Sequence, residues 1–108
     1  MEGLHEDALP RDAQGRPAGR LIGPEQGAVR GFSIGLGFYD NHDYLAPGVH
    51  DDQEGFYVLA GTGTAQVGGA EFTIRPGAAF LAPAGVPHRM KRDRGSVPLR
   101  VLYAHGAV

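Results

Sequence analysis

Two short segments of the chain combine histidine with carboxylate residues. The first, residues 49–54, contains His50 and Glu54, and the second, residues 86–88, ends in His88. Imidazole and carboxylate groups converging from separate segments can bind a divalent metal when no thiolate is present. The sequence therefore predicts a metal site formed by His50, Glu54 and His88. Glu54 is also the candidate catalytic residue, because a carboxylate beside a metal can move protons.

The composition excludes several classes of site and partner. The chain has no cysteine, so disulfides and thiolate metal sites are absent. The net charge is -2 and the single basic cluster is residues 89–94, which argues against nucleic-acid binding. No apolar run approaches the roughly 20 residues of a membrane helix, and the acidic start lacks a signal-peptide core. We expect a cytoplasmic protein with no nucleic-acid or membrane partner.

The elements that position these residues are predicted to be short strands. The 108 residues include 18 glycines and 8 prolines, and turn signals recur about every ten residues. No helical period of useful length is visible. The predicted fold is therefore all-β, a barrel or jelly roll with little or no helix. We expect strands at 21–22, 32–38, 44–46, 56–60, 64–67, 70–74, 78–82, 88–91 and 98–105.

The chain divides into two parts by composition. Residues 1–19 are polar, are broken by Pro10 and Pro17, and show no period, which indicates a flexible N-terminal tail or arm. Residues 20–108 are predicted to form one β-barrel domain, since the total length is typical of a single domain.

The second histidine segment carries a motif that resembles the cupin superfamily. In that motif, five residues separate a Gly from a Pro, one residue separates the Pro from a second Gly, two residues separate this Gly from a His, and three residues separate the His from an Asn. Gly77, Pro83, Gly85 and His88 fall at these spacings, with Arg92 in the place of the Asn. Four residue types agree at fixed offsets, and the resemblance covers about residues 31–105. It implies a small barrel of six or more strands.

The first histidine segment resembles the other cupin motif, with two departures. His50, Glu54 and Gly61 fit its spacing, but the motif asks for a histidine where this chain has Gly48, and for an opening glycine where it has His42. By resemblance, His50, Glu54 and His88 are the metal ligands, for Zn, Mn, Fe or Ni. Three ligands can hold a catalytic metal with open positions.

Other residues are candidates for the surroundings of this site. His42, Asp52 or His105 could replace the absent fourth ligand, and a carboxylate or phosphate of a substrate could pair with Arg92. We expect the pocket for a small-molecule ligand to be lined by His42, Tyr44, Phe56, Met90, Arg92 and His105.

Three functions are compatible with these features. The first is a metal-dependent enzyme acting on a small polar molecule, with isomerase-like, epimerase-like or dioxygenase-like chemistry implied by the resemblance. The second is a non-catalytic small-molecule-binding protein with a degenerate metal site, which the glycine at position 48 favours. The third is a dimerisation unit with a vestigial site. A homodimer is predicted from the short length and the unpaired segment at 21–22.

Overall fold

The computed structural model describes residues 3–106, which form eight strands in two antiparallel sheets. Residues 1–2 of the predicted tail and 107–108 of the predicted domain lie outside the described residues. The larger sheet has the order β1-β2-β8-β3-β6, and the smaller has the order β5-β4-β7. The strands are β1 (Gly19–Ile22), β2 (Ser33–Tyr39), β3 (Gln53–Ala60), β4 (Gly63–Val67), β5 (Ala70–Ile74), β6 (Ala79–Ala82), β7 (His88–Arg92) and β8 (Leu99–Gly106).

The core lies between the inner faces of the two sheets. On β3, Phe56 and Val58 are buried while the residues beside them are more exposed, as period-two alternation requires. Val58, Leu99 and Val101 are the largest side chains that are fully buried. The smaller sheet completes this cluster with Ala65, Ile74 and Met90. The all-β prediction is confirmed, because helical turns among residues 3–106 are limited to Glu6–Ala8 and Pro24–Gln26.

One predicted strand is absent. Residues 44–46 lie in the loop between β2 and β3 and have no strand partner. The Tyr44 ring instead packs outside the smaller sheet, where Arg89 lies 4.3 Å and Lys91 4.6 Å from the ring centroid. Its hydroxyl donates to Glu71 at 3.0 Å. These contacts along β5 and β7 hold the loop without backbone pairing.

The segment before β1 packs along the larger sheet. Leu9 is buried, Glu6 accepts a hydrogen bond from Arg100, and Arg16 pairs with Asp40 while lying over the Phe38 ring. The segment therefore covers part of the sheet around β2 and β8. That residues 1–19 form a flexible tail or arm stays a prediction. No helix among residues 3–106 is long and apolar enough to cross a membrane.

Candidate metal centre

The predicted ligands are brought together by strand ends and by backbone hydrogen bonds between their loops. Glu54 is the second residue of β3, His88 begins β7, and His50 precedes β3. Gly48 and His88 exchange two backbone hydrogen bonds of 2.9 and 3.0 Å, and the Gly85 N–H donates to the His50 carbonyl at 2.8 Å. The two histidine segments are thus joined to each other directly, and His50 and His88 face the same space.

Glu54 lies at the middle of this space. Its side chain is buried, with 7% of the residue exposed. One carboxylate oxygen, Oε1, lies 3.2 Å from both His50 Nε2 and His88 Nε2. The other oxygen, Oε2, lies 3.1 Å from His105 Nε2. His105 comes from β8, where it is the direct register partner of Glu54. Three imidazoles therefore approach one buried carboxylate through the same ring nitrogen.

The other ring nitrogen of each histidine is held by a group that only accepts hydrogen bonds. His50 Nδ1 lies 2.9 Å from Asp52 Oδ1, and His105 Nδ1 lies 3.1 Å from Asp52 Oδ2. His88 Nδ1 lies 3.2 Å from the Val86 carbonyl oxygen. An ionised carboxylate and a carbonyl have no proton to give, so each Nδ1 carries the hydrogen and donates it. In the neutral rings, Nε2 then presents a lone pair toward Glu54.

This arrangement fits a divalent metal ion. Three lone pairs and a carboxylate facing one another repel unless a cation or protons lie between them. A divalent cation would balance the two carboxylates, Glu54 and Asp52, and would accept lone pairs from neutral imidazoles. Imidazole nitrogen and carboxylate oxygen are ligands that zinc and other divalent transition metals take. His50, Glu54 and His88 form one group that could hold such an ion.

A second group that could hold a metal lies on the Nδ1 side of the His50 and His105 rings. His50, Asp52 and His105 also lie close enough together to hold a metal. All three are only partly buried, and each imidazole would bind through Nδ1. An ion there would replace the two hydrogen bonds to Asp52 that orient the rings.

Asp52 is suited to the orienting role. Burial alone would raise its pKa, but the hydrogen bond from His105 and then the one from His50 outweigh it and lower the pKa. Asp52 therefore stays a hydrogen-bond acceptor. An acceptor behind a metal-binding histidine fixes its tautomer and ring orientation.

Two tyrosines of the larger sheet, Tyr39 and Tyr103, lie close enough to Glu54 to feel its charge. Burial raises the pKa of Tyr39 to about 12, with a further contribution from the negative charge of Glu54. Burial first, and Glu54 second, also raise the pKa of Tyr103. The Tyr103 ring packs 5.6 Å from the His105 ring. Both hydroxyls therefore remain protonated near neutral pH and are hydrogen-bond donors, with the Tyr103 hydroxyl lying over Gly35 on β2.

Cavities reach the histidines of the centre from different sides. One, of about 240 Å³, is lined by His88, Gly48, Tyr39 and Met90 among others. The second, of about 370 Å³, reaches His105, Asp52 and Tyr103 and also contacts Arg20. A small molecule in either cavity would lie against a histidine of the centre.

The structure separates the remaining predicted pocket residues into different places. Met90 lines the cavity at His88, and the Phe56 ring packs 5.7 Å from the His88 ring. His42 and Arg92 contact each other instead: Arg92 Nη2 lies 2.9 Å from His42 Nε2, and His42 Nδ1 lies 3.1 Å from the Arg92 carbonyl. Tyr44 lies outside the smaller sheet, as described above.

Sequence reasoning did not single out Tyr39, Tyr103 or the double hydrogen bond of Asp52. Tyr103 precedes His105 by two positions on one strand, so period two alone places both on the same face. Tyr39 ends β2, and its position follows from the pairing of Tyr39 with Leu99, which only the register gives. Asp52 lies two residues from both His50 and Glu54, and its role depends on the turn between them.

Comparison with known proteins agrees with this architecture. Residues 41–105 match the cupin domain family, and the chain belongs to that family. Its fold is similar to the cupin domain of Schizosaccharomyces pombe Cnp3, with 16% identity, TM-score 0.76, and coverage of 98% of this chain and 69% of the other. No curated protein sequence matches the chain.

Two further solved structures share the fold. The polyketide cyclase RemF from Streptomyces resistomycificus is 23% identical, with TM-score 0.75, and the match covers 97% of this chain and 78% of RemF. The protein TT1209 from Thermus thermophilus is 22% identical, with TM-score 0.68, and the match covers both chains completely. At these identities the similarity establishes the fold.

Proposed function

We propose that this chain is a small metal-dependent enzyme that acts on a small polar molecule by isomerase-like, epimerase-like or dioxygenase-like chemistry. The observation that supports it most directly is the approach of three imidazole Nε2 atoms to the buried Glu54 carboxylate, at 3.1 to 3.2 Å. His50, Glu54 and His88 would hold the ion. A bound divalent metal would supply Lewis-acid polarisation of a substrate oxygen.

The chain's own residues offer the remaining parts of such a reaction. Tyr39 and Tyr103 are protonated donors that could hydrogen-bond to a substrate oxygen, since burial raises the pKa of each. The carboxylate of Glu54 is the candidate proton acceptor. The cavity at His88 has room for a small molecule and is bounded on one side by Gly48, which adds no side chain to it. These features favour turnover over simple storage of a ligand.

The metal part of the proposal is tested by elemental analysis of tag-free protein after loading with Zn, Mn, Fe or Ni in turn. We expect near-stoichiometric metal in the wild type and in His42→Ala, because His42 contacts Arg92 and not the centre. His88→Ala should lose most of the metal. Equal metal content in the two variants would reject the centre.

The enzymatic part is tested on the loaded protein with two substrate classes. Hydroxy-aldehydes and hydroxy-ketones in deuterated water report isomerisation or epimerisation through proton exchange seen by NMR. Aromatic diols report dioxygenation through oxygen consumption. Turnover that disappears in His88→Ala supports the enzyme. Binding of these compounds without turnover in any metal form would instead support the non-catalytic binding protein.

A further inference from the structure

We propose that His105 is a fourth ligand of the metal centre, supplied by the last strand on the side away from Gly48. This inference rests on the proposed metal centre and specifies how it is completed. The histidine that the first motif lacks at Gly48 would have come from the loop before β3. The structure brings a histidine from β8 instead.

The register of the larger sheet fixes His105 opposite Glu54. The two residues are direct partners in the β3–β8 pairing, and His105 Nε2 lies 3.1 Å from Glu54 Oε2. The His105 ring also lies 5.1 Å from the His50 ring, centroid to centroid. His105 directs the same ring nitrogen at Glu54 as His50 and His88 do, but from the side of the other carboxylate oxygen, Oε2.

The hydrogen bond on the other side of the ring makes His105 equivalent to His50. Asp52 accepts from the Nδ1 of both rings, one with each carboxylate oxygen. The two rings therefore share one tautomer and present the same lone pair. Because this orienting acceptor is the usual partner of a metal-binding histidine, it supports ligation by His105 rather than a contact with substrate alone.

A ligand at His105 in place of one at position 48 changes how a substrate can reach the centre. An ideal Cβ at Gly48 would lie 3.4 Å from His88 Nε2, so a side chain at this position would stand against the centre. With glycine there, the cavity of about 240 Å³ reaches His88 directly. With His105 as the fourth ligand and glycine at position 48, no side chain at position 48 stands between this cavity and the ion.

The number of coordinated histidines can be counted with Co(II) as the probe. In the paramagnetic protein, each histidine bound through one ring nitrogen gives a strongly shifted NMR signal from its other N–H, and this signal vanishes in deuterated water. We expect three such signals in the wild type and in His42→Ala, and two in His105→Ala. The wild-type count by itself tests the inference if His105→Ala fails to fold.

The outcomes separate this inference from the proposed function. One outcome is two shifted signals in the wild type, with both the signals and the metal lost in His88→Ala. This outcome would overturn His105 as a ligand and would support the centre at His50, Glu54 and His88. A second outcome is two shifted signals that persist in His88→Ala. This outcome would place the ion between the Nδ1 atoms of His50 and His105 and the Asp52 carboxylate, and it would overturn the inference. Absence of Co(II) uptake by the wild type would reject the proposed metal centre itself.

Discussion

Glu54 and His105 face each other across β3 and β8, with His105 Nε2 3.1 Å from Glu54 Oε2, although nearly half the chain separates them. The pairing of β3 with β8 therefore brings His105, near the end of the chain, to the site formed around Glu54. Because Asp52 contacts the far side of the His105 ring, the ring is held from both edges.

Metal binding is expected to raise the thermal stability of the wild type. An ion at about 100 times its Kd adds about 2.7 kcal/mol to the free energy of unfolding, because it binds the folded state. For a domain of this size that corresponds to a rise in Tm of roughly 10 to 20 °C. Calorimetry before and after a chelator measures it. His88→Ala should show no such difference, and a wild type whose Tm ignores the chelator would contradict the prediction.

Replacing Asp52 should weaken the metal site without removing a proposed ligand. An asparagine has one acceptor oxygen, so Asp52→Asn would leave an NH₂ group facing the Nδ1–H of either His50 or His105. We expect metal affinity to fall about 10- to 100-fold, as for other orienting partners. Competition with a fluorescent chelator measures the affinity.

The neighbouring residue provides the matched control. Asp51→Asn makes the same chemical change one position away at an exposed side chain, so its affinity should match that of the wild type. Equal losses in the two variants would indicate a general effect of charge and would count against the hydrogen bonds to the histidines.

Two glycines on β2 should respond differently to alanine. An ideal Cβ at Gly35 would overlap the Tyr103 ring and lie 2.7 Å from the Gly19 carbonyl, whereas one at Gly37 would meet its nearest atom, on Val101, at 3.8 Å. Gly35→Ala should therefore lower the free energy of unfolding by about 1 to 3 kcal/mol. Gly37→Ala should change it far less. Urea titration of both variants decides this, and equal stability would show that Tyr103 can move freely.

Tyr39 should make stability fall at high pH. Its pKa is about 12 in the folded protein against an ordinary value of 10.0, so the unfolded chain loses the phenol proton first. The stabilising contribution is complete below pH 10 and is lost as the pH rises toward 12. Unfolding free energies measured along this range should fall less steeply in Tyr39→Phe than in the wild type. Parallel curves would mean that burial does not perturb Tyr39.

Most of the strands follow from local pattern, and the exception shows the limit of that pattern. Phe56 to Ala60 is rich in aromatic and β-branched residues, and the observed strand includes them all. Tyr44 to Ala46 has similar residues but lies in a loop, because Tyr44 finds its partners in Arg89 and Glu71. Side-chain contacts between distant segments decide this, and one sequence does not reveal them.

The three motif residues of the site were predictable because their types and spacing resemble the two cupin motifs. His50, Glu54 and His88 come together as expected. Period two also put Arg92 on the face of His88, but a rise of about 3.3 Å per residue carries it about 13 Å along the strand, where it meets His42. The place of His105 depends on the pairing of β3 with β8, two strands that are distant in sequence, and no local pattern reveals that pairing.

The backbone pairing of Gly48 with His88 has a kinetic consequence. The two hydrogen bonds between these residues, and the one from Gly85 to His50, tie both ligand loops into a single unit. Local opening that frees one loop must break the contacts of the other, so the loops should open together rather than one at a time. Hydrogen exchange at the Gly48, Gly85 and His88 amides should then share one opening rate, and that rate would limit how fast a bound ion escapes.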